Sequence, residues 1–169
     1  MITVIIDSRE KGLLEHFINN ENINSQNNNI VYKSANLDVG DIQIISDLDP
    51  NKQIVFERKT IADLCQSIKD GRFKDQKARL LSAFEPRAIF YIIEGQWLYY
   101  HDKDTSVDKV HGIQRECING LLVKTIVRDQ ISIFQTQSLN DTIHFLEFTI
   151  KRLLKNPSLF PEAIVEPKA

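Results

Sequence analysis

The chain has 169 residues, with 21 Lys and Arg against 23 Asp and Glu and a formal net charge of −2. That length reads as one domain able to bury about two-thirds of its unfolded surface, and 42% apolar with 26% charged residues is the balance of a globular chain, not a disordered one. No apolar run approaches the roughly 20 residues that cross a bilayer, no secretory signal opens the chain, two distant cysteines form no disulfide framework, and the charge count supplies no overall basic surface for nucleic acid.

Ile2 to Ile6 reads as a short buried strand ending at Asp7. Ser8 can cap a helix from Arg9 to Asn19, with Leu13, Leu14, Phe17 and Ile18 on one side. Residues 19–29 are Asn-rich and apolar-poor, which predicts a loop. Strands are expected at Ile30 to Ala35, Asp41 to Ile45 and Ile54 to Lys59, the last two joined by a turn around Asp49-Pro50-Asn51. Thr60-Ile61-Ala62-Asp63 has capping-box form and opens a helix that Asp70-Gly71 breaks. Arg72 to Phe84 is a second helix, and Pro86 resets the chain into the apolar strand Ala88 to Ile93. Residues 96–109 read as loop, His111 to Arg128 as a helix interrupted at Gly120, and Ile131 to Gln135 as a strand. Ser138 caps an amphipathic helix to Lys155, and residues 156–169, with three prolines, read as a tail or the start of a linker. The order β-α-β-β-β-α-α-β-α-β-α predicts an α/β fold, a mixed sheet with helices on both faces.

The chemistry gathers at Glu57-Arg58-Lys59. Residues two apart on a strand share a face, so Glu57 and Lys59 point together and Arg58 points away. Antiparallel pairing about the turn centre sets Asp41 across from a position close to Arg58, give or take one residue, and only a register aligning Asp41 with Glu57 or Lys59 puts all three on one face. That register is the one expected. Asp7, Asp41 and Glu57 all stand at strand ends or starts, where α/β sheets collect ligands. Carboxylates beside an amine suit a hard divalent cation and a phosphodiester. Each part also has an ordinary reading. Asp63 fits a helix cap, Arg72 and Gln76 fit a solvated helix surface, and Cys65 and Cys117 fit reduced core thiols of a cytosolic or nuclear protein.

The whole pattern is more specific than its parts. Gly40-Asp41, fifteen residues, Glu57-Arg58-Lys59, three residues and Asp63 resemble the signature of the XPF-type structure-specific endonucleases. Ile6-Asp7-Ser8-Arg9-Glu10, Leu37-Asp38-Val39, Ser67-Ile68-Lys69-Asp70-Gly71-Arg72, Gln76, Arg79-Leu80 and Ile93-Glu94-Gly95 extend the likeness over residues 2–155. The resemblance implies a restriction-endonuclease-like nuclease domain over 1–155 and Mg²⁺- or Mn²⁺-dependent incision of branched DNA. It makes Asp7, Asp41 and Glu57 metal ligands and Lys59 catalytic, with Arg58 and Asp63 in support. It sets Arg9, Arg72 and Gln76 near the DNA. It further implies an intracellular protein, in nucleus or cytoplasm, working as a homodimer or heterodimer through the C-terminal helices and away from membranes. Family members carry a tandem helix-hairpin-helix module after this domain, and no such repeat follows Lys155. The alternative within the same fold is a catalytically silent subunit that binds DNA or a partner.

Overall fold

The computed structural model describes residues 1–19, 29–97 and 108–165. The Asn-rich loop expected around residues 20–28, most of the loop expected at 96–109 and the last four residues lie outside the described residues. Six strands form one mixed sheet: β1 (Ile2–Asp7), β2 (Ile30–Ala35), β3 (Ile42–Ser46), β4 (Gln53–Thr60), β5 (Ile89–Glu94) and β8 (Ser132–Thr136), in the order β2-β1-β3-β4-β5-β8. β1 runs antiparallel to β3 and β3 to β4, while β1–β2, β4–β5 and β5–β8 are parallel. The helices are α1 (Lys11–Phe17), α2 (Ile61–Lys69), α3 (Arg72–Ala83), α4 (Arg115–Val127) and α5 (Leu139–Lys155).

Strand alternation builds two cores. Ile2, Val4, Ile6, Ile42, Ile44, Ile54, Phe56 and Ile92 face α1 and α5, meeting Leu13, Phe17, Leu146 and Ile150. Val55, Ile89, Tyr91 and Ile93 face the other way, onto Leu64, Phe73, Leu80 and Ile118 of α2, α3 and α4. The expected fold class, with helices on both faces, is the one observed. On the α2–α3–α4 side, Thr3, Ile5, Gln43 and Ile45 of β1 and β3 are only half-buried. The helical layer therefore stops short of β1, and a cavity opens between its edge and the uncovered strands.

Four expectations change. The helix expected from Arg9 to Asn19 under a Ser8 cap spans Lys11–Phe17, with Glu10 at its N-cap and no side-chain cap bond. The helix expected from His111 begins at Arg115, because His111-Gly112 forms the turn of a small hairpin, β6 (Lys109–Val110) with β7 (Ile113–Gln114). Both turn residues have positive φ, 48° and 80°, as a two-residue hairpin turn requires. Cys117 is exposed on α4, while Cys65 is buried with its thiol against the Val110 carbonyl. Residues 157–165 do not trail away as the tail reading expects. Phe160 and Ala163 are buried, the Ala163 N–H donates to the Asn51 carbonyl and the Glu85 N–H donates to the Ala163 carbonyl. This strap crosses the end of the sheet where the β3–β4 turn lies.

Candidate metal and phosphodiester site

The registers explain how the acidic residues meet. Ile6 pairs with Ile42 and Ile42 with Phe56. Carried on by one residue, both ladders set Asp7, Asp41 and Glu57 in a row across β1, β3 and β4, with neighbouring backbones about 4.8 Å apart. The backbone closes around this row. The Asp7 N–H donates to the Asp41 carbonyl (2.8 Å) and the Asp41 N–H to the Phe56 carbonyl (2.7 Å). Gly40 makes the approach possible: its φ is +78°, and a Cβ there would stand 2.3 Å from Val55 Cγ2. The expected register, with Asp41 beside Glu57 and all three motif side chains on one face, is present.

Asp7, Arg9, Asp41, Glu57, Gln76 and Arg79 line a cavity of about 290 Å³ under the edge of α3. Asp41 accepts the Arg58 backbone N–H at 2.7 Å. Burial pushes the Asp41 carboxyl up to about 8; repulsion from Glu57 acts in the same direction and the Arg58 N–H opposes it. Glu57 is also raised, by burial first, against the lowering effect of the Lys59 ammonium. Lys59 is buried on the same strand face, two residues on from Glu57, and does not itself line the cavity. A larger apolar cavity of about 600 Å³ lies between β8 and α5. It has no convergent carboxylates, so the chemistry points to the smaller one.

The remaining candidates fall elsewhere. The Arg58 guanidinium lies on the opposite face of the sheet, bonded to Glu94 and Glu10. Asp63 is exposed, and its backbone N–H donates to the hydroxyl of Thr60, which is the residue that caps α2, with Asp63 in the first turn. Arg72 is exposed and turned onto Asp70 at 2.8 Å. Asp7 lines the cavity, but its carboxylate is engaged by Arg9, whose Nη2 lies 2.6 Å away. Among the described residues, no three His, Cys, Asp or Glu side chains stand gathered as a ready metal cage. Residue spacing sets each acid at a strand end or start; the row they form comes from the β1–β3 and β3–β4 registers, and the turn of Asp7 towards Arg9 is a rotamer choice that spacing does not encode. Glu10 and Glu94, which hold Arg58, emerged from the sequence only through the resemblance. Arg79 in the cavity wall, donating to the Asp38 carbonyl at 3.3 Å, had no role assigned.

The donor set nevertheless fits a hard cation. Asp41 and Glu57 are two half-buried carboxylates that repel one another, and among the described residues Gln76 Oε1 is buried without a hydrogen-bond partner. Mg²⁺ is commonly held by one or two carboxylates, with waters and substrate phosphate completing its shell, and all these donors are oxygens.

Comparison with known proteins bears on the family and the fold. The family model described as the ERCC4 domain matches residues 6–149. A crossover junction endonuclease mus81 of Emericella nidulans is 31% identical over 62% of this chain and 15% of its own length. A probable crossover junction endonuclease mus81 of Dictyostelium discoideum is 31% identical over 92% of this chain and 18% of its own. The chain thus spans under a fifth of the length of these curated relatives. Among solved structures, XPF from Aeropyrum pernix superposes with a TM-score of 0.60 at 21% identity, covering 92% of this chain and 67% of that one. The same protein in complex with DNA gives 0.56, at 21% identity over 93% of this chain and 66% of that one. With the family model covering most of its length, this chain belongs to the ERCC4 nuclease domain family.

Proposed function

We propose that the chain is a divalent-metal-dependent endonuclease that hydrolyses phosphodiester bonds in branched DNA, such as flaps and forks. The observation that carries the reading is the half-buried, mutually repelling Asp41–Glu57 pair in a cavity with cations at its rim, in a chain of this family. Asp41 and Glu57 would hold Mg²⁺ or Mn²⁺, and Asp7 would join them on leaving Arg9. The bound ion would supply Lewis acidity towards a phosphate oxygen and acidify water. The protein's own groups do the rest. Lys59, fixed by burial beside Glu57, offsets negative charge that grows on the phosphorus oxygens. Arg9, 76% exposed at the mouth, and Arg79 offer guanidinium groups to the DNA backbone. These local cations give a chain of net charge −2 a place to attract phosphate.

The partner surface fits the C-terminal elements. β8 is an edge strand, and Phe134 on it and Phe148 on α5 are exposed, as are Val123 and Val127 on α4. Exposed apolar groups beside an unpaired strand edge suit a second copy or a related chain. No helix among the described residues is long and apolar enough to cross a membrane. Work on DNA would put the protein in the nucleus or cytoplasm.

The test is incision of end-labelled flap, fork and linear duplex DNA with Mg²⁺ or Mn²⁺, with and without a partner chain. Branched substrates should be cut only with metal. Absence of cutting on every branched substrate, together with no Mn²⁺ uptake, would replace this reading with the silent-subunit alternative.

A further inference from the structure

Arg58 lies within the signature, yet its guanidinium is on the wrong face of the sheet to touch a phosphate. Its Nε and Nη2 form a fork onto Glu94, at 2.9 and 2.6 Å, and its Nη1 donates to Glu10 at 3.0 Å. Glu94 Oε1 also accepts the Thr142 hydroxyl at 2.6 Å, and Thr142 meets the Thr136 hydroxyl at 2.6 Å. The side chains of Arg58, Glu10 and Glu94 are only 18%, 15% and 8% exposed. One guanidinium therefore ties β4 to β5, to the segment before α1 and, through Thr142, to α5.

On the other side of the same residue, the Arg58 backbone N–H donates to Asp41 Oδ2 at 2.7 Å. The β3–β4 ladder ends at Ile42–Phe56, so the Asp41 carboxylate accepts where a strand carbonyl would otherwise stand. The direction of that N–H depends on the rotation of β4 about its own axis, and so do the directions of Glu57 and Lys59 on either side. A fork-to-fork guanidinium–carboxylate pair restrains this rotation more tightly than apolar packing, because both distance and plane are fixed.

We infer that Glu94 is a positioning residue for the metal centre: by clamping Arg58 from the far face of the sheet, it aims the Arg58 N–H at Asp41 and sets the pitch of Glu57. The inference rests on the reading of Asp41 and Glu57 as metal ligands. It concerns residues that touch neither metal nor DNA, and partners of this outer kind typically alter metal affinity 10- to 100-fold when lost.

The test uses Mn²⁺ binding by titration calorimetry and the Arg58 amide proton resonance of the metal-free chain, for the parent, Glu94→Gln, Arg58→Lys, the double variant, Asp41→Asn and Phe160→Ala. Glu94→Gln should weaken Mn²⁺ binding roughly tenfold or more and move the Arg58 amide upfield as its bond to Asp41 loosens. Arg58→Lys should do the same, and the double variant should be no weaker than the weaker single, since Glu94 acts through Arg58. Phe160→Ala, at the strap end of the sheet, should lower the melting temperature and leave Mn²⁺ affinity at the parental value. That control separates aim from stability. Parental Mn²⁺ affinity with an unmoved Arg58 amide in Glu94→Gln overturns the inference, as do losses that add in the double variant. Should Glu94→Gln fail to fold, Glu94→Asp, which keeps the charge and retracts it, carries the same expectations. Asp41→Asn binding Mn²⁺ like the parent would instead sink the ligand assignment, and the amide shift would still report whether Glu94 holds Arg58.

Discussion

The Asp41 carboxyl should make the metal-free protein less stable as pH rises, and Asp41→Asn should remove that effect. Asp41 is pushed from its ordinary value of 3.8 up to about 8. In the unfolded chain the group is already ionised at pH 5; in the folded chain it keeps its proton. The folded state thus binds more protons across this window, so stability falls as pH climbs from about 4 towards 8 and levels off above. The ceiling is about 1.4 kcal/mol per pH unit, or about 4 kcal/mol between pH 5 and 8. Water entering the cavity reduces it, and a loss on the order of 2 kcal/mol is expected. Glu57 and Glu10, also raised by burial, add in the same direction. Asp70 and Asp129 are lowered by their Arg and Lys partners, so the stability they contribute is lost only at pH values below this window. Asn at position 41 keeps an oxygen for the Arg58 N–H and carries no charge. Urea unfolding at pH 5, 6, 7 and 8 without metal should show Asp41→Asn more stable than the parent at pH 8 and the advantage shrinking towards pH 5. Adding Mg²⁺ at a hundred times its dissociation constant should restore about 2.7 kcal/mol to the parent and nothing to the variant. Equal stabilities at pH 8, or an offset that does not vary with pH, would refute the reasoning.

Lys59→Ala should cut single-turnover incision of a flap by roughly 10²–10³-fold, the usual cost of removing one stabiliser of developing charge; circular dichroism should show the fold intact, and parental cutting would remove Lys59 from the reaction. Phe160→Ala should cost about 3 kcal/mol or more in urea unfolding, as a buried aromatic does, whereas a free tail would register within about 0.5 kcal/mol. Phe148, 71% exposed on α5, should tolerate Glu with a stability change within about 0.5 kcal/mol while sedimentation shifts from dimer to monomer; a dimer that survives Phe148→Glu would move the interface elsewhere.

The parts of the site that were legible from residues alone are those set by period and register. Alternation along β4 separates Glu57 and Lys59 from Arg58, and the hairpin brings Asp41 to within a residue of Glu57, the exact pairing coming from the structure's register. Gly40 was visible as part of a motif, and the close approach of Val55 gives it a physical reason. What was not legible depends on contacts distant in sequence or on single side-chain choices. The Glu10–Arg58–Glu94 network joins three elements that no local pattern connects. The strap after α5 has no repeating apolar spacing: Phe160 and Ala163 act as isolated anchors among prolines, and prolines without N–H groups read as breakers. The β6–β7 hairpin has two residues per strand, too few to show alternation, and a His-Gly turn in place of the common Asn-Gly signal.

The division of charge between the two faces of the sheet bears on why such a site persists. On one face Asp41 and Glu57 are half-buried against each other's charge, an arrangement that costs stability wherever they are ionised. On the other, Arg58 is buried with two carboxylates for one guanidinium, which a stability-driven design would replace by apolar residues at little cost or with gain. Both arrangements meet at the peptide between Glu57 and Arg58, where the clamped side chain and the N–H bound by Asp41 belong to one residue. Groups placed where they are hard to ionise, backed by a rigid ion pair that stability alone does not need, characterise a site whose compensation comes from a ligand. A divalent cation between Asp41 and Glu57 supplies that compensation by relieving their repulsion. Its uptake should release protons, so Mn²⁺ titrated into the parent in two buffers of different ionisation enthalpy should give apparent heats that differ at pH 7 and converge above pH 9.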